Sequence, residues 1–184
     1  MSKPHNNKST RQNWRTPLWL YYGITGGGCT HDVAADSKNS LCVEYFDGSE
    51  ARDGLYEQWG MLNWCNPPFD KVSQFIDKAI CEAARGNITY LLTTGATETK
   101  WFAKAYAHSV TLTLITGRIA FIHPDTGQPV KGNPAGSAVF LIGPDTFYPA
   151  AVGTMHRDSI KRTGEAIISR LETSSLTPLI PRAK

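Results

Sequence analysis

Apolar residues along this chain switch repeatedly between two periods. Residues 61–66 and 88–93 are short apolar runs of the kind that form strands in a buried, parallel sheet. Between them Val72, Phe75, Ile76, Ala79, Ile80 and Ala83 recur at helical spacing with polar residues interleaved. Arg85 and Gly86 supply the basic last turn and the glycine that end such a helix. The pattern predicts a second helix over 97–108, presenting Trp101, Phe102 and Ala105, and a β-branched strand over 110–116. Further strands are expected at 118–122 and 137–142, around a Gly/Pro-rich connection whose length marks it as functional or mobile. Ile160, Ile167, Ile168 and Leu171 give a terminal amphipathic helix.

Upstream, Thr16 reads as an N-cap and Pro17 as the first position of a short helix over 18–22, which Gly26, Gly27 and Gly28 break. A short strand over 31–35, a loop or short helix through Tyr45 and Phe46, and a turn-rich stretch over 47–58 complete the pattern. Strands separated by helices predict an α/β fold with a mainly parallel sheet and helices on both faces. The organisation expected is a basic flexible arm (1–14), one domain (15–172) and a flexible C-terminal tail (173–184).

Composition narrows the function classes. No apolar run approaches the roughly 18–20 residues that cross a bilayer. The polar residues 1–15 lack a signal-peptide core, so a cytoplasmic location is expected. Cys29, Cys42, Cys65 and Cys81 are scattered without a CxxC pair, which suits reduced thiols and indicates no metal site. Lys3, Lys8, Arg11 and Arg15 all precede the first acidic residue, Asp32, and basic residues also outnumber acidic ones after His156. Basic termini suit a polyanion such as nucleic acid, or serve only solubility.

The chemistry concentrates in Asn66-Pro67-Pro68-Phe69. Two prolines stop the strand, and the residue before them is held extended. The resulting stiff loop lies at the carboxyl end of a strand, where ligands bind on such sheets. It offers the Asn66 amide oxygen and the Pro67 carbonyl as acceptors for a planar NH₂ group, and the Phe69 ring as a stacking surface. Such a grip draws the nitrogen lone pair out of conjugation and aims it at an electrophile. The alternative is a turn that merely ends a strand. His31 beside Asp32 resembles an acid–base pair, but neighbours on a strand face opposite ways. Trp101 and Phe102 suit a core more than a stacking platform.

The ordered motifs carry a family resemblance over about residues 16–143. Thr16-Pro17-Leu18-Trp19, the segment 32–36 with Asn39, Tyr45-Phe46, Asp53-Gly54-Leu55 and Trp59 come first. Trp64-Cys65-Asn66-Pro67-Pro68-Phe69, Lys78-Ala79, Thr99-Lys100-Trp101-Phe102, residues 117–121 and the apolar run 138–142 follow. The chain resembles the phage-type, Dam-like DNA N6-adenine methyltransferases. The resemblance implies a Rossmann-like fold, S-adenosylmethionine as methyl donor, and double-stranded DNA from which an adenine is flipped. It implies catalytic roles for Asn66, Pro67, Pro68 and Phe69. Thr16, Pro17, Asp32, Ala34, Asp53 and Asn66 would hold the cofactor. DNA contacts are expected at Arg15, Arg118, Lys131 and Asn133, with Arg118 equally suited to a surface ion pair. Many relatives of this type carry Asp and Tyr where Asn66 and Phe69 stand, and this chain lacks a glycine-rich F-x-G-x-G loop. Other planar amines, namely cytosine N4, an RNA base or glutamine, remain alternative substrates, as does a non-catalytic nucleic-acid-binding role.

Overall fold

The computed structural model describes residues 14–130, 135–144 and 150–174. Seven strands form one sheet: β1 (His31–Asp32), β2 (Glu44–Tyr45), β3 (Leu62–Cys65), β4 (Ile88–Thr94), β5 (Ser109–Thr116), β6 (Ser137–Ile142) and β7 (Ala151–His156). Their order is β2-β1-β3-β4-β6-β5-β7. β6 runs antiparallel to both β4 and β5, and the other pairings are parallel. Among the described residues four α-helices accompany the sheet: α1 (Leu18–Thr25), α2 (Val72–Ala83), α3 (Lys100–Ala107) and α4 (Arg157–Thr173).

Side-chain alternation along the strands sends neighbouring residues into two cores. Cys65, Leu91 and Phe140 pack with Phe75, Ile76 and Ala79 of α2 and with Phe102 and Ala105 of α3. Trp64, Leu92 and Val139 pack with Leu20 and Tyr21 of α1 and Ile160 of α4. The helices thus cover both faces, as the strand–helix alternation predicts. Thr99 caps α3 by accepting from the Phe102 N–H, and Phe102 meets Phe140 edge-on at 5.0 Å, a core role for that ring.

α1 and α4 cross with their backbones in contact. A Cβ on Gly23 would stand 2.3 Å from the Ile160 carbonyl oxygen, and one on Gly164 would stand 2.0 Å from that of Trp19. Only glycine permits this approach from both sides.

Four local expectations are corrected. Thr16 is not an N-cap: Pro17 occupies that position in an extended conformation, and α1 runs on to Thr25, where Gly26 closes it at φ 73°. Glu44–Tyr45 forms a strand, because the Asp32 carbonyl and the Phe46 N–H extend its pairing with β1. Residues 118–122 do not form a sheet strand; after Gly117 (φ 83°) only Ile122 bridges, to Arg15 and to Pro129. β7 was not anticipated. It lies at the sheet edge with all six residues exposed, so no apolar face marks it in the sequence.

Candidate active site

The parallel strands deliver their carboxyl ends to one edge. β1 ends at Asp32, β3 ends just before Asn66, and β4 ends at Thr94. Asp32 and Trp64 are register partners, so the β1 and β3 ends sit side by side. Because β6 is antiparallel, its first residue, Ser137, pairs with Thr94 at this same edge.

Over that edge lies a strap, residues 14–17. Arg15 exchanges two 2.9 Å backbone hydrogen bonds with Ile122, and its guanidinium donates to the Pro124 carbonyl at 2.6 Å. The Ile122 segment turns back on itself, with Val130 N–H donating to the Phe121 carbonyl at 2.7 Å. Trp14 and Thr16 flank Arg15 and therefore project to the other side of the extended strap, toward Asn66.

Their contacts fix the Asn66 amide. Its nitrogen stands 3.2 Å from the Trp14 carbonyl and 3.3 Å from the Thr16 hydroxyl. A backbone carbonyl only accepts, so the group facing it is the NH₂. The Asn66 Oδ1 consequently faces away from the strap, and no donor among the described residues engages it. The neighbouring Pro67 carbonyl also lacks a donor among the described residues, whereas that of Pro68 starts the turn Phe69–Lys71 by accepting from Lys71.

Two cavities meet at this amide, each lined by Trp14 and Asn66. The first, about 410 Å³, is also lined by Thr16, Asp32, Ala34, Asn39, Leu41 and Pro68. Arg15 also lines it, and its acidic group is Asp32, only 4% exposed, with a carboxylate oxygen accepting from the Leu41 N–H at 3.0 Å. Burial pushes its carboxyl up to about 7, against the lowering effect of the Leu41 and Ala34 N–H groups. The second cavity, about 480 Å³, is flatter in chemistry: Trp14, Phe69 and Phe121 rings, Pro67, Val72 and Leu92, with Thr93, Thr94 and Ser137 at one side. Trp14 stacks on Phe121 with ring centres 6.2 Å apart. Phe69 is 49% exposed, leaving a face free to receive a ring.

The structure therefore gathers Thr16, Asp32, Ala34 and the Asn66 loop. Pro17 is buried at the start of α1 and Asp53 accepts from the Leu55 N–H at 2.9 Å in a turn; neither lines either of these two cavities. Arg118 is exposed and makes no ion pair among the described residues. Lys131 and Asn133 lie outside the described residues. Sequence reasoning missed Trp14, assigning it to the arm, as well as Asn39 and Phe121 as lining residues. The one available signal was the Trp14-x-Thr16 spacing, which places both side chains on one face of an extended segment. Among the described residues no group of three or more His, Cys, Asp or Glu forms a metal cluster, and no helix is long and apolar enough to cross a membrane.

A seven-stranded α/β sheet thus carries a buried acid at the end of β1 and an amide-bearing proline loop after β3, with a cavity on each side of that amide. The family model described as DNA N-6-adenine-methyltransferase (Dam) matches residues 3–167, and the chain belongs to this family. It is 28% identical over 153 residues to a DNA N-6-adenine-methyltransferase of Escherichia phage T1, a match covering 73% of this chain and 63% of that protein. A DNA N-6-adenine-methyltransferase of Haemophilus phage HP1 is 26% identical over 159 residues, covering 80% of this chain and 88% of the relative. The chain thus spans less than two thirds of the T1 protein's length. A solved structure described as a predicted O-methyltransferase from Agrobacterium tumefaciens aligns with a TM-score of 0.48 at 11% identity, over 81% of this chain and 97% of that one.

Proposed function

We propose that this phage-type protein transfers a methyl group from S-adenosylmethionine to N6 of an adenine flipped out of double-stranded DNA. The observation that carries the reading is the fixed Asn66 amide, which stands between a cavity with a buried carboxylate and a cavity walled by aromatic rings.

The Asp32 cavity suits the cofactor. A carboxylate that burial has stripped of water is best compensated by the hydroxyl or ammonium groups that a nucleoside and an amino acid bring. Thr16, Ala34 and Asn39 would line the bound molecule, with Pro17 ending the strap where α1 begins. Asp53 would act only if its turn moved toward the cavity. When bound, S-adenosylmethionine supplies a sulfonium methyl group as the electrophile.

The rest is work for side chains and backbone. Asn66 Oδ1 and the Pro67 carbonyl accept the two hydrogens of the amine, and this localises the nitrogen lone pair toward the cofactor cavity. Phe69 stacks on the base, a contact worth roughly 1–3 kcal/mol. Asn66 carries no charge and takes up no proton, so the proton that the amine sheds on methylation passes to solvent and the rate derives from position and from acceptors held in place before the base arrives. Of the expected DNA contacts, Arg118 offers an exposed charge, whereas the Arg15 guanidinium is engaged with Pro124. The protein would work in the cytoplasm of a bacterial host, where its DNA lies.

Expression in a methylation-free host, followed by mapping of modified bases, tests the proposal. N6-methyladenine at a defined sequence is expected. Methylation confined to cytosine N4, to RNA or to protein, or no methylation by a folded protein, overturns it.

A further inference from the structure

Buried polar atoms are ordinarily paired, and each exception calls for a reason. Among the described residues three buried side-chain atoms lack a hydrogen-bond partner: Trp14 Nε1, Asn63 Oδ1 and Thr89 Oγ1. Asn63 and Thr89 are register partners on β3 and β4 and line neither cavity. Trp14 differs, because it is only 8% exposed and yet lines both. An indole N–H can only donate, and burying it without an acceptor costs free energy. The ring's placement shows which cavity it serves. It stacks on Phe121, which lines the aromatic cavity and not the Asp32 cavity. The backbone is fixed independently: the Trp14 carbonyl accepts from the Asn66 amide, and Arg15 is paired with Ile122.

We infer that Trp14 is a substrate-binding residue whose indole N–H donates to the target base, at a ring nitrogen beside the amine that Asn66 holds. The inference rests on the adenine-methylating reading above. Asn66 Oδ1 accepts from the amine, and Trp14 adds a donor on the same wall. An acceptor and a donor together match an NH₂ group next to an unprotonated ring nitrogen. Adenine presents that pattern twice, with N1 on one side of its amine and N7 on the other. Thymine carries the reverse, an oxo group beside a ring N–H. Cytosine presents the same pattern as adenine, so the donor selects an amine-bearing edge and leaves the choice between those two bases to other contacts. Nε1 is closed to solvent where the ring lies against Phe121. The ring therefore turns about its side-chain bonds to meet the base, while the strap backbone stays paired. No existing hydrogen bond has to break for this one to form, so the base gains the full benefit of the new contact.

The test uses duplexes with adenine, 1-deazaadenine, 7-deazaadenine or 3-deazaadenine at the mapped target. They are methylated by the wild-type protein, by Trp14→Phe and by a protein with β-(3-benzothienyl)alanine at position 14. The last keeps the size of the indole and lacks only its N–H, and both variants keep the backbone carbonyl that holds Asn66. Removing a ring nitrogen alters the amine itself, but equally for every protein, so the ratio of wild type to variant isolates the contact. On adenine the wild type is expected to exceed both variants in kcat/KM about three- to tenfold, the worth of one neutral hydrogen bond. With either the 1-deaza or the 7-deaza duplex that advantage should vanish against the isosteric variant and shrink against Trp14→Phe. With the 3-deaza duplex, whose missing nitrogen lies away from the amine, it should persist. The melting shift caused by S-adenosylhomocysteine should be the same in all three proteins. If the advantage persists on both the 1-deaza and the 7-deaza duplex, the inference is overturned. It is overturned equally if the variants change the S-adenosylhomocysteine shift instead, which would assign the N–H to the Asp32 cavity. If the wild type methylates no adenine duplex at all, the transferase reading itself fails.

Discussion

The two cavities on either side of Asn66 solve opposite problems. One is built around a carboxylate with almost no access to water, and the other around three aromatic rings with hydroxyls at one end. A carboxylate so deeply buried is an unfavourable arrangement that a cationic or hydroxylic ligand relieves. Aromatic walls favour a flat, neutral partner. The pairing teaches that charge and shape recognition are kept apart, and that they share only Trp14 and the amide between them.

Substitutions can break that separation, beginning at the shared wall. Asn66→Ala is expected to lower single-turnover methylation by about 10²–10³-fold or more, the scale of losing one preorganised transition-state contact. The S-adenosylhomocysteine melting shift should survive, and undiminished transfer would remove Asn66 from the mechanism. Asp32→Asn acts on one side alone: cofactor affinity should fall about ten- to hundredfold, as for a charge-assisted hydrogen bond, with base capture unaffected. Calorimetry with S-adenosylhomocysteine checks it.

Asp32 also makes the cofactor side sensitive to pH. Its folded-state value of about 7 lies above the usual carboxylate range. Its contribution to the stability of the ligand-free protein is therefore complete below about pH 4 and is lost as pH rises through 7. Cofactor affinity should run the other way, rising through pH 7 as the carboxylate ionises and then levelling. Asp32→Asn should flatten both curves; a persistent slope would assign them to another group.

Phe69→Ala addresses the other side, with base capture weakened about five- to hundredfold. A 2-aminopurine target would report this as reduced fluorescence change, and an unaltered signal would exclude stacking. Thr16→Val is the mildest. One of the two acceptors that hold the Asn66 NH₂ is lost while the Trp14 carbonyl remains. A few-fold drop in kcat is expected from a single weakened hydrogen bond; an equal change in cofactor affinity and none in kcat would show that Thr16 only lines the cavity.

The same division governs what could be read from the sequence. Strands and helices of the central region carry their own signal, as at Ser137–Ile142, where the apolar run and the strand coincide, or at α2, where Val72, Phe75, Ile76, Ala79 and Ala83 are buried as their spacing predicts while Glu82 is buried as well and Ile80 only partly. The proline pair announces Asn66 because its effect on the backbone is local. The strap is different. Trp14 becomes part of the site only through pairing between Arg15 and Ile122, more than a hundred residues apart, and nothing in either segment alone specifies the other. β7 escaped for the opposite reason: an exposed edge strand owes its existence to its neighbour β5 rather than to any buried face.

The glycine crossing of α1 and α4 has a consequence in time. The strap runs directly into α1, and α1 is seated by α4, near the late end of the described chain. During synthesis the sheet edge with Asp32 and Asn66 emerges long before Gly164 does. A nascent chain can therefore pair the strap with Ile122 well before α4 is available to clasp α1, so the two supports of the wall between the cavities are added one after the other.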